Sequence, residues 1–463
     1  MPLPAPVQAY LASEKIEYDI TELALNQENN SQVTPSSSIA TLVMLEDELG
    51  KAQVLIPQAS LLNLPSLNEM LGRNWRAIMR TENAADSENQ TPHQGILPLP
   101  EDGLVLVDQY LLKLDPIYLE SGETNVLIKL SQKDFGQLTQ GSIVDRYCKP
   151  IKTLIKATLD QENDIPHIHK ALESFTTRRI KSRLNETLEI PPLPTSVEKV
   201  IRLRIEANAT AEELAEVVAM DPGLAAQIIS WAASPFYATP GKIRSIEDAI
   251  IRVLGFELVV NLAIGLAIGK TLQLPKDHPY NQSPYWEQAI TTATVMERLS
   301  RLHPSKNRPA RGLAYLSGLL HNFGYLVIGH AFPPHFSLLC RMIEANPHVP
   351  AAYIDQHLFG MTRDQIGSCL FESWSLPEEV IKAVRWQQLP SYQGPYASYA
   401  NLLCLSQLLI NEISEKPNSC LMTPRQTGEL YERLGIEPDE AREIVTTVLA
   451  GQEELKSFSS SFR

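Results

Sequence analysis

The hydrophobic pattern of this chain changes its period partway along. Up to about residue 148, apolar residues alternate in short runs separated by polar loops. From Ile190 onward they recur every three or four residues with few interruptions. Alternation suits a half-buried strand, and a recurrence near 3.6 suits a helix with one buried face. One chain carrying both patterns in sequence is expected to hold a mixed α/β module followed by a helical one. The length of 463 residues agrees with two or three domains, since a single core rarely grows that large.

In the first module, residues 7–19 read as a helix with Val7, Leu11 and Ile16 on one side, leading into a strand over 18–25. Ser-rich residues 26–38 read as a loop. Strands follow at 39–45 and 53–56, joined by the acidic turn Glu46–Gly50. Residues 60–72 read as a Leu-rich helix, 81–95 as a second loop, and 103–107, 117–119 and 125–129 as further strands. Residues 1–150 contain ten Lys/Arg against twenty Asp/Glu, which concentrates much of the net charge of −14 in this third of the chain. Such a surface repels nucleic acid and anionic lipid, so neither is an expected partner.

Residues 149–188 read as a connecting helical region. It carries Arg178-Arg179-Ile180-Lys181-Ser182-Arg183, a solvated helix face or a contact for an acidic surface. Beyond it, Pro191-Pro192-Leu193-Pro194 is a stiff entry to a helix bearing Val197, Val200, Ile201 and Ile205. Thr210 with Glu213 predicts a capping box. Asp221-Pro222 predicts an N-cap and a first-turn proline. Ser245 with Asp248 marks another helix start, and Gly255 a stop. Gly265 and Gly269 allow close helix packing. An apolar helix over 402–413 and an acidic one from Pro438 complete the pattern.

The helical half has one stretch that demands explanation. Gly318-Leu319-Leu320-His321-Asn322-Phe323-Gly324 carries a polar pair into an apolar setting, where polar groups need partners. The pair is either a bonded core feature or part of a site. His330, His335, His348 and His357 lie nearby without HxH or HExxH spacing. The five cysteines are scattered with no CxxC and read as reduced thiols. Leu258–Ile268 is too short to span a bilayer. With no secretory signal at its start, the chain is expected to be cytoplasmic.

Linked motifs in the second half identify a resemblance. They are the Pro191–Pro194 entry, Asp221-Pro222-Gly223-Leu224, Ser234-Pro235-Phe236-Tyr237, Ile243–Ile250, Leu254-Gly255, Gly318–His321 and Trp374–Val380. Together they resemble the HD-related output domain, HDOD, of bacterial signalling proteins. In the first half, Thr41-Leu42-Val43, Gly95-Ile96-Leu97-Pro98, Leu106-Val107-Asp108 through Asp115, and Ile117–Glu123 resemble the aminoacyl-tRNA deacylase fold of the YbaK/ProX type. The resulting expectation is a multidomain α+β protein. Residues 1–148 form a degenerate deacylase-like mixed α/β domain, 149–188 a helical linker, 189–390 an all-α HDOD domain, and 391–463 a helical extension.

Both resemblances imply enzymes whose key residues differ here. The deacylase family has a lysine directly before the Thr-Leu-Val strand, where this chain has Ala40; Gly95 and Pro98 keep only a loop shape. HD hydrolases hold metal with a His-Asp pair and further histidines. By resemblance those positions fall at Gln288, His321-Asn322, Arg363, and Arg385 with Gln387. A neutral amide is a poor ligand for a hard cation, and one imidazole does not hold a catalytic metal. The expectation is therefore no cofactor, no metal and no catalysis. The chain reads as a signalling scaffold that binds protein partners through its HDOD domain. The alternatives are residual ester hydrolysis by the first domain, and nucleotide sensing or phosphohydrolysis in the HD-like pocket, where Arg363, Arg385 and Gln288 would hold phosphate and base.

Overall fold

The computed structural model describes residues 3, 5–22, 38–78, 97, 103–121, 126–154, 163–168, 170–171, 195–205, 208–233, 243, 245–269, 272, 276–280, 282–304, 308–414, 424–451, 453 and 456. The loops expected at 26–38 and 81–95, the cationic run 178–183, the Pro191–Pro194 entry, the Ser234–Tyr237 motif, and Gly95 and Pro98 all lie outside them, apart from Ser38. The chain divides into two compact units. The first comprises Met1–Ala157, Pro279–Asn281 and Ser337–His357; the second comprises Thr158–His278, Gln282–Phe336 and Leu358–Arg463.

The first unit opens with α1 (Ala5–Ser13) and β1 (Tyr18–Glu22). Strands β2 (Ile39–Asp47) and β3 (Gly50–Pro57) form a hairpin in which Asp47 accepts the Leu49 N–H at 2.9 Å. Then follow β4 (Ser60–Leu62), α2 (Leu64–Leu71), β5 (Arg76–Ala77), β6 (Leu104–Asp108), β7 (Ile117–Glu120), β8 (Val126–Leu130), α3 (Gln132–Leu138), β9 (Ile143–Asp145) and β10 (Cys148–Pro150). The main sheet runs β1-β8-β7-β2-β3-β6-β9, with β5 on β2, while β4 and β10 pair separately. It is mixed: β2 is parallel to β7 and β3 to β6, whereas β1–β8, β7–β8 and β2–β3 are antiparallel.

Two details differ from the pattern-based expectation. The stretch 60–72 is a short strand followed by a helix, because Ser60 to Leu62 pair with β10 before Pro65 starts α2. Residues 149–153, expected in the helical connection, are strand and a 3-10 turn. Asp108 holds this corner: its buried carboxylate accepts the N–H of Tyr147 at 2.9 Å, of Cys148 at 3.2 Å and of Tyr110 at 2.9 Å. Burial, and then the Asp108 charge beside it, push the Cys148 thiol up to about 12, so it is an inert core thiol.

Residues 337–357 count with this first unit although the sequence places them in the second domain, and a side-chain contact explains why. Asn346 accepts the Leu62 N–H at 2.6 Å and donates to the Leu62 carbonyl at 3.1 Å. His348 Nε2 lies 2.9 Å from the Ser60 carbonyl oxygen. The odd-numbered neighbours bond toward β10, as Asn63 N–H does to Tyr147. Residues 60 and 62 therefore face away from that ladder, and Asn346 and His348 satisfy them.

The second unit is helical throughout its described residues. A short helix at 164–168 precedes α4 (Thr195–Ile205), α5 (Ala211–Ala219), α6 (Pro222–Ala232), α7 (Ile246–Asp248) and α8 (Phe256–Gly269). Next come α9 (Tyr285–Ser300), α10 (Arg311–Leu320) and α11 (Phe323–Ala331). Helices α12 (Pro333–Ala345) and α13 (Ala351–Phe359) are shared between the units. The chain ends with α14 (Arg363–Ser373), α15 (Glu378–Trp386), α16 (Ala397–Ile413), α17 (Pro424–Leu434) and α18 (Pro438–Ala450). The expected caps form. Thr210 and Glu213 make a capping box, and Asp221 accepts the Gly223 and Leu224 N–H groups at 3.0 Å. Ser245 accepts the Asp248 N–H, after which residues 249–254 wind as a π-helix, a departure from the α-helix the pattern suggests. No helix is long and apolar enough to cross a membrane among the described residues.

Candidate functional site

His321 and Asn322 lie at the junction between α10 and α11, as the C-cap of one helix and the N-cap of the next. Two glycines let other backbones approach that junction. A Cβ on Gly318 would lie 2.5 Å from the Ala293 Cα in α9, and one on Gly324 would lie 1.9 Å from the Arg363 carbonyl oxygen in α14. The Gly-Leu-Leu-His-Asn-Phe-Gly stretch is thus a crossing point where α9, α10, α11 and α14 meet closely.

The imidazole of His321 is buried, and its Nδ1 lies 2.7 Å from the Gly318 carbonyl oxygen. Burial lowers its pKa to about 4. The Gly318 contact opposes that shift, and the Arg363 charge adds to it. The ring is therefore neutral at physiological pH and donates from Nδ1 to the carbonyl. Arg363 is buried, its Nη1 lies 3.4 Å from the Asn322 carbonyl oxygen, and its guanidinium sits 5.0 Å from the Tyr325 ring centre. That places a cation beside the pair, where it opposes a metal ion. Gln387 closes the group: its amide donates to the His321 carbonyl at 2.8 Å, to Asp364 at 2.8 Å and to Val384 O at 3.1 Å. The Gln387 carbonyl accepts from Gln407 on α16.

The remaining candidates are placed differently. Gln288, at the start of α9, donates back to the Ser283 carbonyl. Arg385 points to Asp164, which is fully buried: the Arg385 Nε donates to one carboxylate oxygen and its Nη2 to the other at 2.9 Å. Gln365 donates to the same Asp164 at 2.8 Å and lies 3.3 Å from His167 Nδ1. Ala40 sits in β2 within the apolar core of the first unit, 2% exposed. Asp164, His167, Asp364 and Gln365 were not singled out from the sequence. Thr362-x-x-Gln365 does carry a legible signal, since it forms a capping box on α14, but nothing local marks Asp164.

These residues do not fit a catalytic metal. No group of three or more His, Cys, Asp or Glu side chains converges among the described residues. At the positions an HD hydrolase would use stand three amides, one neutral imidazole and two guanidinium groups. Of the more distant histidines, His348 is bonded to Ser60 and has its pKa lowered by burial. That of His357 is lowered to about 4 by burial and then by Lys149.

Comparison with known proteins places this geometry. Residues 190–390 match the HDOD domain family. The crystal structure of a "Putative signal transduction protein" from Marinobacter aquaeolei VT8 is 35% identical over the whole of both chains, with a TM-score of 0.86. An HDOD domain protein of unknown function from Geobacter sulfurreducens shares the fold, at 19% identity over 65% of this chain and 99% of that one, with a TM-score of 0.50. An uncharacterized protein of Treponema pallidum (strain Nichols) is 24% identical over 240 residues. That match takes in 52% of this chain and only 45% of the relative's length.

Proposed function

We propose that this chain, which belongs to the HDOD-domain proteins, is a non-catalytic signalling scaffold that acts by binding protein partners through its helical half. The observation that carries this reading is the closure of the polar group around His321. His321, Asn322, Arg363, Asp364 and Gln387 bond to one another or to nearby backbone, in a donor-rich set that repels a cation. A site built to activate water on a metal needs converging anionic or imidazole ligands and an open coordination position. Here His321, Asn322, Arg363 and Gln387 instead tie α10, α11, α14 and α15 together through their own hydrogen bonds. What helices tied in this way offer a partner is surface. Signalling is the role named for the Marinobacter relative, and its transfer to this chain is part of the proposal.

The first unit fits the same reading. Its mixed sheet and the residues of β2, β6 and β7 support a YbaK/ProX-like origin, and Ala40 buried in the core supports loss of the hydrolytic amine. Nucleotide sensing is less well supported, since the Arg385 fork that would take a phosphate is bonded to Asp164. The test is capture of partners by the full chain in its native cells, followed by reconstitution with each purified candidate and titration calorimetry. A stoichiometric complex whose affinity is unchanged by a chelator is expected. Chelator-sensitive turnover of phosphoesters, with no reconstituted complex, would refute the reading.

A further inference from the structure

The helix at 164–168 lies outside the HDOD match at 190–390, yet it docks on that domain's helices. Its burial follows a single face. Asp164 and Ala171 are buried and His167 and Ile168 half-buried, while Ile165, Pro166 and Lys170 are exposed. The spacing is i, i+3, i+4 and i+7, one stripe along a helix. Each stripe residue for which a contact is defined meets the same wall. Asp164 takes Arg385 and Gln365, His167 lies beside Gln365, and the Ala171 methyl is 3.6 Å from where a Cβ on Gly360 would be. The wall is formed by the start of α14, the end of α15 and the turn at Gly360.

We propose that this wall is a helix-docking groove for a partner helix that carries Asp or Glu with a small residue seven positions on, and that the helix at 164–168 with Ala171 occupies it in cis. This rests on the binding reading above and names the chemistry of the partner. The groove recognises a carboxylate through a buried two-pronged Arg385 contact reinforced by the Gln365 amide, and seven residues further on it needs a small side chain against Gly360. The specificity follows from the chemistry. A guanidinium fork matches a carboxylate in two places, and a buried arginine with no anion is strongly disfavoured, so an occupant without Asp or Glu at the first stripe position is rejected. Helix-in-groove recognition by residues spaced i, i+3 and i+7 is a recurrent mode. A tethered occupant competes at a high effective concentration, so the groove opens to a partner only when the cis helix is displaced.

The experiment uses the full chain and a fluorescent peptide of residues 160–174 as the probe. In fluorescence anisotropy the peptide is expected to bind the Asp164→Arg chain at least about tenfold more tightly than wild type, because the cis helix no longer competes. The Arg385→Glu chain should not bind it, but should bind a peptide carrying Asp164→Arg. Should Asp164→Arg prevent folding by circular dichroism, Asp164→Asn removes the charge while keeping the side-chain shape, and the same ordering is expected. Equal binding to wild type and to the folded Asp164 variant, or a failed charge swap, would overturn the groove. If the reconstituted partner complex forms but is indifferent to substitutions at Asp164 and Arg385, the groove is wrong while the binding reading survives.

Discussion

Replacing Asn346 by Ala should destabilise the first unit more than any surface change, and the magnitude follows from three bonds. The Asn346 side chain accepts the Leu62 N–H at 2.6 Å and donates to the carbonyl oxygens of Leu62 at 3.1 Å and Met342 at 2.9 Å, all in a buried setting. Met342 O sits in the last turn of α12, and the Asn346 N–H bonds Ile343 O instead, so its loss adds to the cost. The Leu62 groups face away from β10. Leaving a buried donor or acceptor unsatisfied costs about 1–3 kcal/mol, so the two Leu62 groups together are worth roughly 2–6 kcal/mol. Asn346→Asp keeps an acceptor for the N–H but turns a buried anion toward two carbonyl oxygens, so at neutral pH it should lose at least as much as the Ala variant. Urea unfolding followed by circular dichroism and by exchange of the β4 amides measures both. A loss below about 0.5 kcal/mol for the Ala variant would refute the argument that this side chain completes the outer edge of β4.

Three further outcomes follow. Gly324→Ala places a methyl against the Arg363 carbonyl backbone, which cannot rotate away, so chemical denaturation should show a loss of about 3 kcal/mol or more, at the upper end of overpacking. His321 has its pKa depressed from 6.5 to about 4 by burial, so its contribution is complete above pH 6.5 and is lost as pH falls toward 4. At most about 3 kcal/mol is involved, and a stability–pH profile of His321→Gln should lose that part of the acid slope. Ala40→Lys buries an amine in the core of the first unit; it should lower stability by roughly 3 kcal/mol or more, and neither it nor wild type should deacylate mischarged tRNA above the buffer rate.

What the sequence discloses and what it conceals divide by the distance over which residues act. Capping by Thr210 with Glu213, Asp221 and Ser245 is legible because each side chain bonds its own backbone within three residues. The strands expected at 39–45, 103–107 and 117–119 are legible as short apolar runs bounded by loops, and form at Ile39–Asp47, Leu104–Asp108 and Ile117–Glu120. The crossing point is half legible: the glycines flanking His321 suggest close packing, while the identity of the approaching backbone does not follow from them. Asp164 is invisible because its partner is 221 positions away, and its polar neighbourhood reads as a solvated connection. The assignment of 337–357 to the first unit is concealed for the same reason, since Asn346 meets Leu62 across 284 positions. The Leu-rich stretch 60–72 misleads because leucine serves a strand edge and a helix equally well, and only pairing with β10 decides.

We propose that the polar group around His321 holds the helices together and does no metal chemistry. Elemental analysis of the native full-length chain, paired with a phosphodiesterase assay in added Mn²⁺, Fe²⁺ or Zn²⁺, tests it most directly. Substoichiometric metal is expected, with hydrolysis equal to the metal-only control and unchanged in His321→Ala. About one tightly held metal per chain, with turnover that disappears in His321→Ala while the variant stays folded, would contradict it.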